Sequence, residues 1–149
     1  MSSLKETIKD AMKAAMKSGD KTRLGTIRMI LAAIKQIEVD ERIELDDSRV
    51  IAVLDKMLKQ RRESIRQYLD ANRNDLAEIE EAEINVIQDF LPQPLTEEEI
   101  QQMIQQVISD TDAKSIRDMG KVMGVLKPKM QGRADMAVVS AQIKAALSS

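Results

Sequence analysis

Apolar residues recur along this chain at helical spacing. Leu4, Ile8, Met12, Ala15 and Met16 form a first stripe, with Ser3 and Glu6 spaced as a capping box and Gly19 placed to stop the helix. Leu24, Ile27, Ile30, Leu31, Ile34 and Ile37 form a second. A polar loop around residues 40–46 leads to a third stripe of Val50, Ile51, Leu54, Met57, Leu58, Ile65, Tyr68 and Leu69. Leu76, Ile79, Val86, Ile87 and Phe90 form the fourth. No window alternates between apolar and polar residues as a strand bounded by turns does. Residues 1–91 are therefore predicted to be an N-terminal bundle of about four helices.

Leu91-Pro-Gln-Pro-Leu95 interrupts this pattern, because each proline lacks an amide donor and restricts the residue before it. Residues 92–95 are read as a linker. Thr96 and Glu99 make a second capping box, opening a helix that turns Ile100, Met103, Ile104, Val107 and Ile108 inward. Ser115 is placed to cap a short helix carrying Ile116, Met119, Val122, Met123 and Leu126, which Pro128 and Gly132 are expected to end. Asp135 is placed to cap the last helix, with Val139, Ile143 and Leu147 on its apolar side. Residues 96–149 thus form a small three-helix tail domain, and the fold class is all-α.

Composition narrows the chemistry. The chain has 149 residues, 43% apolar and 32% charged, with ten Met, one Tyr, one Phe and no Trp, so its core is aliphatic with Met as the adaptable filler. There is no Cys and no His. Disulfides, thiolate nucleophiles, Cys-ligated zinc, Ser-His-Asp triads and imidazole bases are thereby excluded. Carboxylates, lysines, one tyrosine and hydroxyls remain, a small set for an enzyme, though carboxylate-bound Mg²⁺ and acid/base pairs stay open. No catalytic residue, metal ligand or cofactor site stands out. The opening Met-Ser-Ser-Leu-Lys-Glu lacks an apolar run of signal-peptide length, and no segment reaches the roughly 18 apolar residues of a membrane span, so cytosol is the expected compartment.

Charge is segmented although the net value is −2. Residues 1–73 carry +4, residues 74–113 hold no Lys or Arg and carry −11, and residues 114–149 carry +5. Solvated helix faces are the plain explanation. The basic tail, however, contains the segment Asp118–Asp135, where three of the five glycines stand among Lys121, Lys127, Lys129 and Arg133. A Walker loop needs two glycines separated by four residues and followed by Lys-Ser/Thr; Gly120 and Gly124 are separated by three and followed by Val125. No strand precedes them, so a dinucleotide fingerprint fails as well. The two glycines read as close-packing positions against a neighbouring helix. The cations fit a nucleic acid backbone better than a nucleotide. Scarcity of aromatics disfavours base stacking and favours recognition of folded RNA by shape and phosphate. Elsewhere, Arg62 and Arg66 are expected to pair with acidic neighbours, and Glu83, inside an apolar stripe, to pair with an arginine.

Taken together, Lys21-Thr-Arg-Leu-Gly-Thr-Ile-Arg-Met-Ile-Leu-Ala-Ala-Ile-Lys35, Lys59-Gln-Arg-Arg-Glu-Ser-Ile65, Phe90-Leu-Pro92 before Leu95-Thr-Glu-Glu-Glu-Ile100, Asp118-Met-Gly-Lys-Val-Met-Gly124 and Gly132-Arg-Ala-Asp135 form a specific pattern. With it the chain resembles, nearly end to end, the YqeY-like proteins of bacteria. Its C-terminal half is similar to the tRNA-contacting tail domain of the aspartyl/glutamyl-tRNA amidotransferase. The resemblance implies an all-helical, non-catalytic tRNA-binding module, accessory to tRNA-dependent amidation or aminoacylation, with an amidotransferase or an aminoacyl-tRNA synthetase as partner and no membrane. Carried over by motif position, the tRNA-facing residues are Gly120, Lys121, Gly124, Lys127, Lys129 and Arg133. It also implies, by homology alone, the alternative of a carbon–nitrogen ligase component using glutamine as amide donor. The −11 segment and the methionines suggest a further alternative, an adaptor docking a partner enzyme.

Overall fold

Ser3 starts the first helix by accepting a hydrogen bond from the Glu6 amide at 3.1 Å, which satisfies one of the donors a helix start leaves open. In the computed structural model, which describes residues 3–148, this helix, α1, runs Leu4–Ser18 and ends on Gly19, whose φ of 75° is the left-handed conformation glycine adopts without strain. Met1, Ser2 and Ser149, at the outer ends of the two domains expected from sequence, lie outside the described residues. Asp20 caps α2 (Lys21–Glu41) and Asp46 caps α3 (Asp47–Asp70), each through a side-chain oxygen on the amide three residues ahead. Helix α4 spans Asn74–Gln88. These four helices share one core, in which Ile8, Ile27, Ile30, Val50, Leu54 and Ile87 are fully buried. The most extensive pairing is α3 on α4.

The chain divides into two compact units, one ending at Pro92 and the other starting at Gln93. The second begins with α5 (Glu97–Asp110), opened by a complete capping box: the Glu99 amide donates to the Thr96 hydroxyl and the Thr96 amide to the Glu99 carboxylate, both at 3.1 Å. Those bonds from Thr96 hold the Glu99 carboxyl below its ordinary pKa. A 3₁₀ turn, Ile116–Asp118, leads into α6 (Met119–Met130), and α7 (Met136–Ser148) completes the unit. Its separate core holds Ile104, Val122, Leu126, Met130, Val139 and Ile143. The fold is all-α, with seven α-helices and no strand among the described residues. Tyr68 and Phe90 both belong to the first unit, where Phe90 is buried and lies 5.7 Å from the Arg23 guanidinium.

Burial corrects several positions counted in the apolar stripes: Met16, Leu69, Ile79 and Ile116 are exposed. Ile79 is 57% exposed and does not join the inner face of α4. That face instead carries Ala77, Ile84 and Ile87 together with Glu80 and Glu83, because Arg61 of α3 lies opposite and draws the carboxylates inward. The arginine that meets Glu83 is thus Arg61, at 3.1 Å, while Arg66 pairs with its own-helix neighbour Glu63 at 3.6 Å. Pro128, expected to end a helix, lies inside α6.

Candidate nucleic-acid interface

Asp118 organises the start of α6. Its Oδ2 accepts the amides of Lys114 at 2.8 Å and Ser115 at 3.3 Å. The Lys114 amide is the main reason its carboxyl sits below the ordinary range, helped by the Ser115 amide and the charges of Lys121 and Lys114. From there the helix buries Val122, Leu126 and Met130 on one side. The other side is bare. Gly120 and Gly124 are one turn apart and Pro128 one turn further; Lys127 falls seven residues after Gly120, and Lys121 seven residues before Pro128. The result is an exposed strip of two glycines and a proline, flanked by Lys127 on one edge and Lys121 on the other. Val125, 38% exposed, stands beyond Lys121.

The glycines do not serve the packing role that their spacing suggests. Both are exposed, and a Cβ built at either meets nothing within 4 Å among the described residues. A helical glycine costs about 1 kcal/mol relative to alanine, and here no internal contact offsets that. Pro128 adds a second irregularity. It has no N–H, so the Gly124 carbonyl lacks the helical donor four residues ahead of it. The irregularity falls two residues before the helix ends, so it disturbs only the last turns of α6.

The remaining candidates separate. Lys129 is exposed but follows Val125 by one turn, on the side of α6 away from the strip. Arg133 is partly buried and engaged: its Nε donates to the Gln93 carbonyl at 3.1 Å and its own carbonyl accepts the Leu95 amide at 2.8 Å. Gly132, at φ 78°, makes the turn that brings Arg133 there. Among the described residues no carboxylate forms an ion pair with Lys121, Lys127 or Lys129. The structure thus brings Gly120, Lys121, Gly124 and Lys127 together and sets Lys129 and Arg133 apart. The missing donor opposite the Gly124 carbonyl is not among the sequence expectations, although a proline four residues after a glycine is a signal for it.

The first unit offers a groove of about 430 Å³ between α2 and α4, with Gly25 and Ala82 among its small lining residues, Met29 and Ile79 as exposed apolar ones, and Glu78 on its rim. No group of three or more acidic residues is placed to hold a metal ion, and no helix is long and apolar enough to cross a membrane, among the described residues.

Comparison with known proteins extends over both units. The family model described as Yqey-like protein matches residues 5–147. The Altered inheritance of mitochondria protein 41 of Lachancea thermotolerans is 29% identical over 143 residues, covering 91% of this chain and 76% of the relative. That of Pyrenophora tritici-repentis is 32% identical over 136 residues, covering 89% and 75%. That of Eremothecium gossypii is 39% identical over 85 residues, covering 56% and 46%. All three relatives are named as mitochondrial proteins. This overturns the expectation of a cytosolic location, which rested only on the lack of apolar runs; amphipathic transit peptides have no such run to find.

Proposed function

The chain belongs to the YqeY-like protein family, and from that membership we propose that it is a non-catalytic tRNA-binding module that docks folded RNA on the exposed face of α6. One observation carries the reading: uncovered backbone and unpaired charge share that face. Gly120, Gly124 and Pro128 leave room for a sugar-phosphate chain to approach the helix closely, with Lys127 and Lys121 placed to meet its phosphates. The Gly124 carbonyl is an acceptor without its helical donor, and a ribose 2′-hydroxyl is a donor of the right kind, one that DNA lacks. The second unit has no aromatic residue, so bases are not read there by stacking on rings. In this reading the protein is an accessory to tRNA-dependent amidation or aminoacylation, with the partner enzyme supplying the chemistry. Titration of labelled tRNA at several salt concentrations is the test. Lys121→Glu with Lys127→Glu is expected to weaken binding at least about tenfold at low salt and to flatten the salt dependence; undiminished affinity removes α6 from the proposal.

A second reading, a protein-docking adaptor, is favoured by the groove between α2 and α4, where exposed Met29 and Ile79 lie beside Glu78 and the lining carries Asp75, Glu78 and Glu83 against Lys21. A basic amphipathic helix is the complementary partner. Capture of partners from lysate with and without nuclease separates the readings: RNA-mediated partners vanish, directly docked protein stays.

A further inference from the structure

Lysine occupies every fourth position of α1: Lys5, Lys9, Lys13 and Lys17. At 1.5 Å per residue the row extends about 18 Å along one side of the helix. Glu6 and Asp10 each follow a lysine by one position, so they stand roughly a quarter-turn away and do not interleave with the row. Like charges four residues apart repel by a few tenths of a kcal/mol per pair, a standing cost to the helix. Only Lys5 is relieved. It donates to Glu38 at 2.7 Å, and the Glu38 carboxylate also accepts the Leu45 amide at 2.9 Å. Among the described residues no carboxylate forms an ion pair with Lys9, Lys13 or Lys35.

Those three lysines are exposed. They line one groove between α1 and α2, about 410 Å³ in volume, with Met12 and Leu31 on its apolar floor. Glu44 is the remaining negative group on the lining, since Glu38 is already engaged. The groove therefore keeps a net positive charge, and the lysine row continues past it to Lys17. A row of point charges repeating about every 6 Å along a helix axis suits a linear polyanion better than a single acidic group.

We propose that the α1–α2 groove of the first unit is a second RNA-phosphate site, formed by Lys9, Lys13 and Lys35 and separate from the face of α6. It rests on the reading above that the ligand is RNA, and it assigns part of the affinity to a unit which that reading leaves without a role. Each phosphate contact contributes about 0.7–0.9 to the slope of log affinity against log salt. Loss of three contacts thus lowers that slope by about 2–3.

Full-length protein is titrated with total tRNA over a salt series, as wild type, as K9E/K13E/K35E, as K9R/K13R/K35R and as K121E/K127E, with circular dichroism confirming that each variant is helical. The expected result is that K9E/K13E/K35E binds at least about tenfold more weakly at low salt with the slope reduced as stated, while the arginine variant binds like wild type. If K9E/K13E/K35E keeps wild-type affinity and slope while K121E/K127E loses affinity, the groove proposal is overturned and the α6 reading stands. If only K9E/K13E/K35E loses affinity, the groove stands and the α6 reading falls. Failure of wild type to bind tRNA at low salt overturns both.

Discussion

Arg133 and Leu95 are joined by a 2.8 Å hydrogen bond from the Leu95 amide to the Arg133 carbonyl, while the Arg133 side chain reaches the Gln93 carbonyl at 3.1 Å. One residue thus ties the stretch of chain entering α5 to the turn after α6. The guanidinium also lies close enough to Glu99 to help lower its pKa, after the bonds from Thr96.

Arg133→Ala is therefore expected to destabilise the second unit by about 1 kcal/mol, through loss of a charge-assisted hydrogen bond at a partly exposed site. Lys127→Gln should lower the urea midpoint less, since it loses only a favourable charge in the last turn of α6, worth about 0.3 kcal/mol or slightly more. If Arg133→Ala melts like wild type yet binds tRNA poorly, its role is at the RNA surface and the structural assignment is wrong.

Gly120→Ala and Gly124→Ala should each stabilise the protein by about 0.5–1 kcal/mol, because alanine is the better helix former and the added methyl meets open space. The same methyls cover the strip proposed to receive RNA, so tRNA affinity should fall as the melting temperature rises. A rise in stability with unchanged affinity would show that nothing docks closely there.

Arg61 holds two carboxylates at once, Glu83 at 3.1 Å and Glu80 at 3.9 Å. Burial and then the charge of Glu83 push the Glu80 carboxyl up, with Arg61 opposing. Arg61→Ala leaves both carboxylates largely covered and unpaired, at a cost of about 1–3 kcal/mol read from denaturant melts. Glu80 behaves oppositely. Its raised pKa means the folded state binds the proton more tightly than the unfolded chain, so its contribution is fully present below the unfolded pKa and lost as pH rises through the folded one. Glu80→Gln should accordingly equal or exceed wild type in stability at about pH 7, with the advantage fading toward about pH 4. A variant less stable at neutral pH would mean that the Arg61 contact outweighs burial.

Glu38 has the reverse sign. The Lys5 hydrogen bond, then the Leu45 amide, hold its carboxyl below the ordinary range. The stability it supplies is present above its unfolded pKa and lost as pH falls through the folded value. Glu38→Gln should lower the melting temperature at neutral pH and flatten the acid limb of the stability profile. An unchanged acid limb would place the responsible carboxylate elsewhere.

Helix boundaries were legible wherever a cap and a stripe agreed: Ser3 and Gly19 bracket α1, and Thr96 with Glu99 opens α5. Ile79 and Pro128 were not. Apolar spacing cannot tell that Arg61, on another helix, draws Glu80 and Glu83 to the inner face and leaves Ile79 outside. A proline two residues before the end of a helix costs one backbone hydrogen bond and crowds the carbonyl four residues back, but leaves few turns beyond it to break. For the candidate face, charge and glycine content marked the segment, but only three dimensions separate Lys127 and Lys121 on the strip from Arg133, whose guanidinium is engaged by the backbone.

With Tyr68 and Phe90 both in the first unit and tryptophan absent throughout, the two halves of the molecule differ optically. Tyrosine emission reports the surroundings of α3 alone, while the tail is dark in the near ultraviolet. A nucleic acid added to this protein contributes almost all the absorbance of the mixture in the near ultraviolet. Once corrected for the light the nucleic acid absorbs, a tyrosine signal that moves in a titration reports that the first unit has responded.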